Sequence, residues 1–231
     1  MRLNILSWNI WCDGHFDEVS RFLGASGADI IGLQEVLPED ATRNVIGYLT
    51  NLGYEHVFSP ALKIRRGFFK REPMGNAIFS RYPIVGSETY ALSEIESRVA
   101  VRADVNVGET VVHVFNTHLL HTHQRPSIVQ DVQAANLIKV LLPARTIVMG
   151  DFNATPESAA VRRMRGVLVD ADPESKPTWS VYPEGCGGCK PQAIDTRLDY
   201  IFASRDLATR SFSVGISRGS DHLPISVVVE V

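Results

Sequence analysis

Short apolar runs, one of them strictly alternating, recur along the chain between polar segments, which favours strands over helices through most of its length. Residues 99–107 alternate valine and alanine strictly with polar side chains, as a half-buried strand does. Gly108 and Glu109 then lead into a second apolar run at 111–117, and so short a connection requires antiparallel pairing. Further strands are predicted at residues 2–10, 29–34, 75–80, 84–92, 145–150, 198–203, 212–216 and 225–231.

Other segments have helical spacing, with their apolar residues on one face. The predicted helices span residues 17–27, 38–52, 126–142 and 156–164. Pro38 suits the first turn of the second of these helices. Segments 61–73 and 172–196 show no clear pattern, and because strands flank both, we expect loops around a site rather than linkers. The pattern as a whole predicts one strand-rich domain over residues 1–231.

Composition narrows the range of functions. Hydrophobic residues make up 45% of the 231 positions, an ordinary globular mix that can fill a sizeable core. The net charge of −3 gives no global basic field to hold a long nucleic-acid duplex. The sequence shows neither a signal peptide nor an apolar run of the ~20 residues that span a bilayer. We therefore expect a cytoplasmic protein without a transmembrane segment.

The three cysteines are Cys12, Cys186 and Cys189. An odd count is a poor disulfide framework and suits a reducing compartment. Cys186 and Cys189 form a lone CxxC pair, whereas zinc usually needs four ligands and the sequence has no second CxxC and no HxxxH. A glycine-rich surface loop with two thiols is therefore favoured over a metal or redox role.

Polar side chains recur where the predicted strands end or begin. These residues are Asn9, Glu35, His118, Asp151, Asn153, Asp221 and His222. Strand ends project side chains toward one rim of a sheet, so residues distant in sequence can converge there. Each has an ordinary structural explanation when taken alone, such as a helix cap for Glu35 or a turn for Asn9. Together they predict a constructed polar cavity.

The residue types in this cavity suit the cleavage of phosphate esters. Mg²⁺ takes a few carboxylate or carbonyl oxygens and keeps water or substrate oxygens elsewhere, and Glu35 and Asn9 can supply the protein oxygens. A histidine beside a carboxylate can be held in one tautomer and kept protonated. Asp151 and Asn153 lie on the same side of an extended backbone, so one can orient a water while the other donates to a phosphoryl oxygen.

Seven short strings resemble the endonuclease/exonuclease/phosphatase superfamily, in that family's order and across nearly the whole chain. They are Ser7-Trp8-Asn9-Ile10, Leu33-Gln34-Glu35-Val36, residues 75–84 (GNAIFSRYPI), Asn116-Thr117-His118-Leu119, Gly150-Asp151-Phe152-Asn153, Leu198-Asp199-Tyr200-Ile201 and residues 220–225 (SDHLPI). The resemblance implies an α+β fold of the DNase I-like type, a four-layer sandwich of two mixed β-sheets with helices outside. It also implies a metal cofactor, Mg²⁺ with Mn²⁺ as a substitute, at Glu35, Asn9 and Asp221.

The same resemblance implies catalytic roles. Asp151 matches the aspartate that orients or deprotonates the attacking water, and Asn153 matches the companion that holds Asp151 and the phosphate. Asp199 matches the carboxylate that pairs with His222, and His118 matches the histidine that contacts the phosphate or serves the leaving group. The implied mechanism is in-line attack of water on the phosphorus, with the base left open between Asp151 and His222.

Two further residues are expected to bind substrate. Asn76 lies in the motif strand whose asparagine faces the scissile phosphate in the family that the chain resembles. Arg98 begins the alternating strand; its alternative role is a salt bridge to Glu94 or Glu96.

The substrate class is less defined. Residues 63–71 combine five basic with two aromatic side chains, which suits nucleic acid, an anionic membrane surface or a merely solvated loop. We favour a monomeric phosphodiesterase or phosphatase that acts on a phosphate-ester substrate, with nucleic acid slightly preferred. The alternatives are a phospholipid or inositol-phosphate phosphoesterase resembling sphingomyelinases, and a non-catalytic binding module on the same fold.

Overall fold

The computed structural model of the chain describes residues 1–66, 70–94, 97–182 and 188–231. The strands are β1 (Arg2–Asn9), β2 (Ile30–Val36), β3 (Glu55–Arg66), β4 (Lys70–Ser80), β5 (Ile84–Ala91), β6 (Val99–Val107), β7 (Thr110–His118), β8 (Thr146–Asp151), β9 (Val169–Asp170), β10 (Asp199–Ala203), β11 (Ala208–Val214) and β12 (Ile225–Glu230). The helices are α1 (Phe16–Ala25), α2 (Val45–Asn51), α3 (Ile128–Val140) and α4 (Ala159–Val167).

The strands form two six-stranded mixed sheets. The first has the order β11-β12-β1-β2-β4-β3, and the second has the order β5-β6-β7-β8-β10-β9. Among the described strand pairings, β1/β2 and β7/β8 are parallel and the others are antiparallel. Each parallel pair lies in the middle of its sheet, and the carboxyl ends of its two strands meet at the same edge.

Branched aliphatic side chains from both sheets form the core between them. Fully buried members include Leu3, Ile5, Ile78, Val114, Ile147 and Ile201. Burying such a side chain contributes about 1.5–3 kcal/mol. At the centre, Met149 of β8 lies opposite Gly32 of β2, where a Cβ atom would come 2.5 Å from the Met149 methyl carbon. The glycine thus leaves the space that the methionine fills.

The outer faces of the sheets are covered by helices. Trp8 and Phe79 of the first sheet pack with residues of α1 and α2, such as Leu23. Phe115 of the second sheet packs with residues of α3 and α4, such as Leu137. The result is the four-layer sandwich of two mixed sheets that the resemblance implied. None of the helices in the described part of the chain is long and apolar enough to cross a membrane.

The helix predicted at 38–52 was wrong in its first half. Ala41–Arg43 forms a 3₁₀ turn, and the α-helix begins only afterwards, as α2. The side chain of Asp40 caps the turn and that of Asn44 caps α2, so each piece has its own start. Arg43 is buried and donates to backbone carbonyls of the loop after β1. That tertiary contact holds the turn against the sheet.

The loop predicted at 61–73 was also wrong. β3 and β4 pair with each other from Glu55↔Ser80 to Arg66↔Lys70, so most of the segment belongs to a long hairpin. Residues 67–69, which include the two aromatic side chains noted above, lie outside the described residues. The sequence pattern did not indicate this hairpin because few described side chains are buried at the end of it that is farthest from Glu55 and Ser80. Segment 172–196 does form a loop where it is described.

Candidate active site

Three predicted site residues occupy one rung of the second sheet. His118 of β7 lies opposite Asp151 of β8, and Asp151 in turn lies opposite Asp199 of β10. Residues on one rung project to the same face of a sheet, so these side chains meet although they are far apart in sequence. The pairing register alone thus brings two acids and a histidine together.

The backbone around these residues adopts conformations that side chains usually avoid. Gly150 precedes Asp151 with φ +146°, and a Cβ atom there would collide with the Thr117 carbonyl. Glu35 and Asn153 have left-handed φ values of +60° and +50°. Such non-glycine residues cluster at functional sites, since surrounding structure must hold them in place. At Glu35 the register of β2 against β4 also shifts.

The carboxylate of Asp151 is the hub of the site. Its Oδ2 accepts a hydrogen bond from Asn9 Nδ2 at 3.0 Å and lies 3.4 Å from His118 Nε2 and 3.6 Å from His222 Nε2. Its Oδ1 accepts from the backbone N–H of Asn153 at 2.7 Å. Asn9 belongs to the first sheet and Asp151 to the second, so their hydrogen bond joins the two sheets across the site.

His222 is held from its far side by a second carboxylate. Its Nδ1 lies 2.8 Å from Asp199 Oδ2, and Thr178 Oγ1 donates to the same oxygen at 2.6 Å. Trp8 Nε1 donates to the His222 carbonyl at 2.9 Å, which fixes the backbone. With Nδ1 engaged, Nε2 is the ring atom that faces Asp151, so the tautomer and orientation of His222 are set by Asp199.

The two histidines differ in charge. Burial alone would lower the pKa of His222, but the carboxylates around it, Asp199 foremost, outweigh burial and raise that pKa well above its usual range. Burial, followed by the charge of Arg98, lowers the pKa of His118 well below 6.5. Burial raises the pKa of Asp151 to about 7, although the nearby His222 opposes that shift. Near neutral pH the site therefore pairs a cationic His222 with a neutral His118.

Glu35 supplies the carboxylate on the opposite side of the site. Its Oε2 accepts from the Cys12 backbone N–H at 2.9 Å, and its Oε1 accepts from Asn9 Nδ2 at 3.3 Å. The Asn9 carbonyl oxygen accepts from Trp11 N at 3.0 Å. In this arrangement Asn9 positions Glu35 and Asp151, and it would have to turn its amide over to offer an oxygen to a cation.

These side chains line one cavity of about 200 Å³. Its walls are Asn9, Trp11, Glu35, Met74, Arg98, His118, His121, Asp151, Asn153, Trp179, Asp221 and His222. Asp221 faces the His222 side, where its Oδ2 accepts from Trp179 Nε1 at 3.2 Å. Two predicted site residues lie behind the wall: Asp199, which acts on His222, and Asn76, whose amide donates to the Val99 carbonyl at 3.0 Å.

Some residues that organise the site were not predicted as site residues. Thr178, which bonds Asp199, lies in an irregular loop and carried no sequence signal. Gln34 and Asn116 are fully buried, and Gln34 Nε2 donates to Asn116 Oδ1 at 2.6 Å between the two sheets. An amide inside an otherwise apolar strand is the signal that could have found both.

Comparison with known proteins assigns the family. Residues 6–222 match the model of the Endonuclease/Exonuclease/phosphatase family, so the chain belongs to this family of phosphoesterases. A search of curated proteins finds no significant match.

Solved structures share the fold. An endonuclease/exonuclease/phosphatase from Beutenbergia cavernae is 20% identical, with a TM-score of 0.83 over 100% of this chain and 72% of that one. The human Nocturnin catalytic domain with bound sulfate is 23% identical, with a TM-score of 0.72 over 99% of this chain and 93% of that one. The mannosyl-6-phosphatase Bt3783 of Bacteroides thetaiotaomicron is 18% identical, with a TM-score of 0.71 over 99% and 100%. At these identities the likeness supports the fold alone.

Proposed function

We propose that this protein hydrolyses a phosphate ester by in-line attack of water, with Mg²⁺ held at Glu35. The observation that carries the proposal is the convergence on Asp151 Oδ2, which has Asn9 at 3.0 Å, His118 at 3.4 Å and His222 at 3.6 Å within one cavity. A carboxylate flanked by an amide and two imidazoles can hold a water and stabilise charge on a phosphoryl group.

The donor set around Glu35 fits a hard divalent cation. Mg²⁺ prefers oxygen ligands, uses one or two carboxylates and keeps several water or substrate oxygens. Glu35 offers a carboxylate at the cavity wall, and Asn9 and Asp221 line the same cavity and would complete the site. Bound there, Mg²⁺, or Mn²⁺ in its place, would neutralise charge on the phosphoryl oxygens.

We assign the base to Asp151. Its raised pKa lies near neutral pH, where a general base is most effective, whereas His222 is already protonated. Asn153 holds Asp151 through its backbone N–H and is itself anchored by a hydrogen bond from Nδ2 to the Leu119 carbonyl at 3.2 Å. Asn153 would therefore act chiefly by positioning the base.

The remaining groups would stabilise charge. The cationic His222 can donate from Nε2 to a phosphoryl oxygen, with Asp199 holding the ring from behind. Neutral His118 can donate a hydrogen bond to the phosphate or the leaving oxygen without a net charge. Arg98 lies at the cavity wall and adds the positive charge that attracts an anionic ester.

We propose a phosphodiester of a nucleic acid as the substrate. Met74 of β4 lines the cavity, and exposed Arg71 lies three residues earlier, about 10 Å along the strand at ~3.3 Å per residue. Exposed Lys63 and Arg65 on the paired strand β3 add to this positive charge, which suits a phosphate backbone. The second candidate is a small phosphomonoester, which the cavity of about 200 Å³ favours.

Hydrolysis of a substrate panel tests the proposal. The panel is bis-p-nitrophenyl phosphate, single- and double-stranded DNA, RNA, sugar phosphates, inositol phosphates and sphingomyelin, each with Mg²⁺, Mn²⁺ or EDTA. Asp151→Asn should lower turnover roughly 10²–10⁴-fold, the typical value of a general base. Asp17→Asn is the matched control because Asp17 is exposed on α1, outside the site.

We expect metal-dependent turnover that EDTA abolishes and that Asp17→Asn retains. Near-normal activity of Asp151→Asn, or turnover indifferent to EDTA, contradicts the mechanism. No turnover on any substrate by folded, metal-loaded protein would favour the non-catalytic binding module.

A further inference from the structure

A second cluster of metal-binding side chains lies beside the catalytic cavity. Cys189 Sγ lies 3.2 Å from His123 Nδ1 and 3.4 Å from His121 Nε2. The two imidazole rings are 4.6 Å apart between centroids, and the three ligand atoms lie within 4.8 Å of one another. This cluster joins the loop after β7 to the loop that precedes β10.

We propose that His121, His123 and Cys189 bind one Zn²⁺ ion when Cys189 is reduced. Imidazole nitrogens and thiolates are the ligands that Zn²⁺ selects, and three protein ligands with a water in the fourth position complete a tetrahedral set. Cys186, the other cysteine of the CxxC pair, lies outside the described residues.

The observed separations match a zinc site. With Zn–S of about 2.3 Å and Zn–N of about 2.05 Å, tetrahedral angles give an S···N distance of about 3.6 Å. The two S···N distances of 3.2 and 3.4 Å are already close to that value. Only small movements would admit the ion.

The surrounding backbone makes room for the cluster. A Cβ atom at position 188 would lie 2.6 Å from His123 Cε1, so the His123 ring packs in the space that Gly188 leaves beside Cys189. His123 and Gln124 have left-handed φ values of +51° and +55°. These conformations fold the loop back, so that the ring of His123 reaches that of His121.

Cys189 cannot bind Zn²⁺ as a thiolate while its sulfur is part of a disulfide bond. Cys189 is half of a disulfide in the structure. A small dithiol reduces this bond by transferring two electrons and two protons, which yields two thiols and the oxidised dithiol. The Cys189 thiol then releases its proton when its sulfur binds Zn²⁺.

The sequence alone disfavoured a metal role because it has no second CxxC and no HxxxH. The fold supplies the missing pair as His121 and His123, which have HxH spacing and lie on a different loop. His121 also lines the catalytic cavity, and Trp179 from the other loop lines it as well. Zinc would therefore fasten two walls of that cavity to each other.

The test is Co²⁺ and Zn²⁺ binding to reduced, metal-free protein. Co²⁺ bound through thiolate gives a charge-transfer absorption in the near ultraviolet, which a carboxylate site at Glu35 does not give. Zn²⁺ should displace the Co²⁺ and remove this absorption at one ion per chain. The affinity follows from competition with a chromophoric chelator.

Matched variants separate the ligands from their neighbours. Cys189→Ser and His123→Ala should weaken Zn²⁺ binding by more than the roughly 10–100-fold typical of losing an outer partner of a ligand. Cys12→Ser and His56→Ala should bind as the unaltered chain does, because neither residue belongs to the cluster. Circular dichroism of each variant verifies that it is folded.

The outcomes are distinct. A thiolate absorption that is lost in Cys189→Ser and kept in Cys12→Ser supports the site. Its absence in fully reduced protein, or its persistence in Cys189→Ser, overturns the proposal. Neither result depends on hydrolysis, so failure of the proposed function would be seen separately.

Discussion

Replacing Arg197 with methionine should destabilise the protein far more than replacing Arg210 with methionine. The Arg197 side chain is 1% exposed, and its guanidinium bonds Asp170 at 2.7 and 3.0 Å. It also lies 3.8 Å from the Asp172 carboxylate and 4.1 Å above the Tyr200 ring. Arg197 shortly precedes β10, so this network fixes the start of the strand that carries the site carboxylate.

The magnitude follows from what the substitution leaves behind. Removing one partner of a buried ion pair costs about 3–5 kcal/mol because the other charge stays buried. Here Asp170 keeps Arg165 at 2.8 Å, and Asp172 keeps two backbone N–H donors, so we expect the lower half of that range, about 3–4 kcal/mol. Arg210 pairs with Glu230 at 3.0 Å but is 62% exposed, and because water screens such surface pairs, its loss should change the free energy of unfolding far less.

Urea unfolding at neutral pH, followed by tryptophan fluorescence, measures the difference. In a thermal melting experiment on a chain of this length, the same 3–4 kcal/mol would lower Tm by roughly 6–16 °C. Equal unfolding free energies for Arg197→Met and Arg210→Met would refute the reasoning, since they would mean that the buried network contributes no more than a surface pair.

Two further predictions concern the site and its backbone. Asp199 raises the pKa of His222, so Asp199→Asn should lower that pKa. The basic limb of the kcat/KM profile should then move to lower pH. An unmoved limb would mean that protonated His222 is not required. Gly150→Ala should destabilise by roughly 2–6 kcal/mol, because it combines a positive φ with a clash against the Thr117 carbonyl. Gly166→Ala in α4, where the added methyl meets nothing within 4 Å, should instead stabilise by about 0.4–1 kcal/mol, and thermal melting that fails to rank the two in this order would contradict the assignment.

The centre of the fold was predictable because its strands are buried. The segments that became β1, β2, β7 and β8 are continuous or alternating apolar runs, and the residues that follow such runs converge in the structure. The β3–β4 hairpin was not predictable from its far end, because exposed strand residues carry basic side chains in place of an apolar face. Pairing with the neighbouring strand, which no local pattern records, decides its conformation.

The candidate site likewise has a part that the sequence predicted and a part that it did not. Motif order pointed to Glu35 and Asp151, but the link between Thr178 and Asp199 depends on a loop contact that spans two distant segments. The proximity of His121 to Cys189 is equally non-local, since the two residues lie on different loops. Chemistry within a strand or at its end was accessible from the sequence, whereas chemistry between loops required the fold.

The Met149 side chain packs against Gly32 between the two sheets, so this contact helps to set the distance between them. Glu35 belongs to one sheet and Asp151 to the other, so the spacing of the sheets also sets the separation of these two carboxylates. Packed interiors resist compression and transmit strain. A larger side chain at position 32 would therefore press the sheets apart and move the carboxylates of Glu35 and Asp151 away from each other.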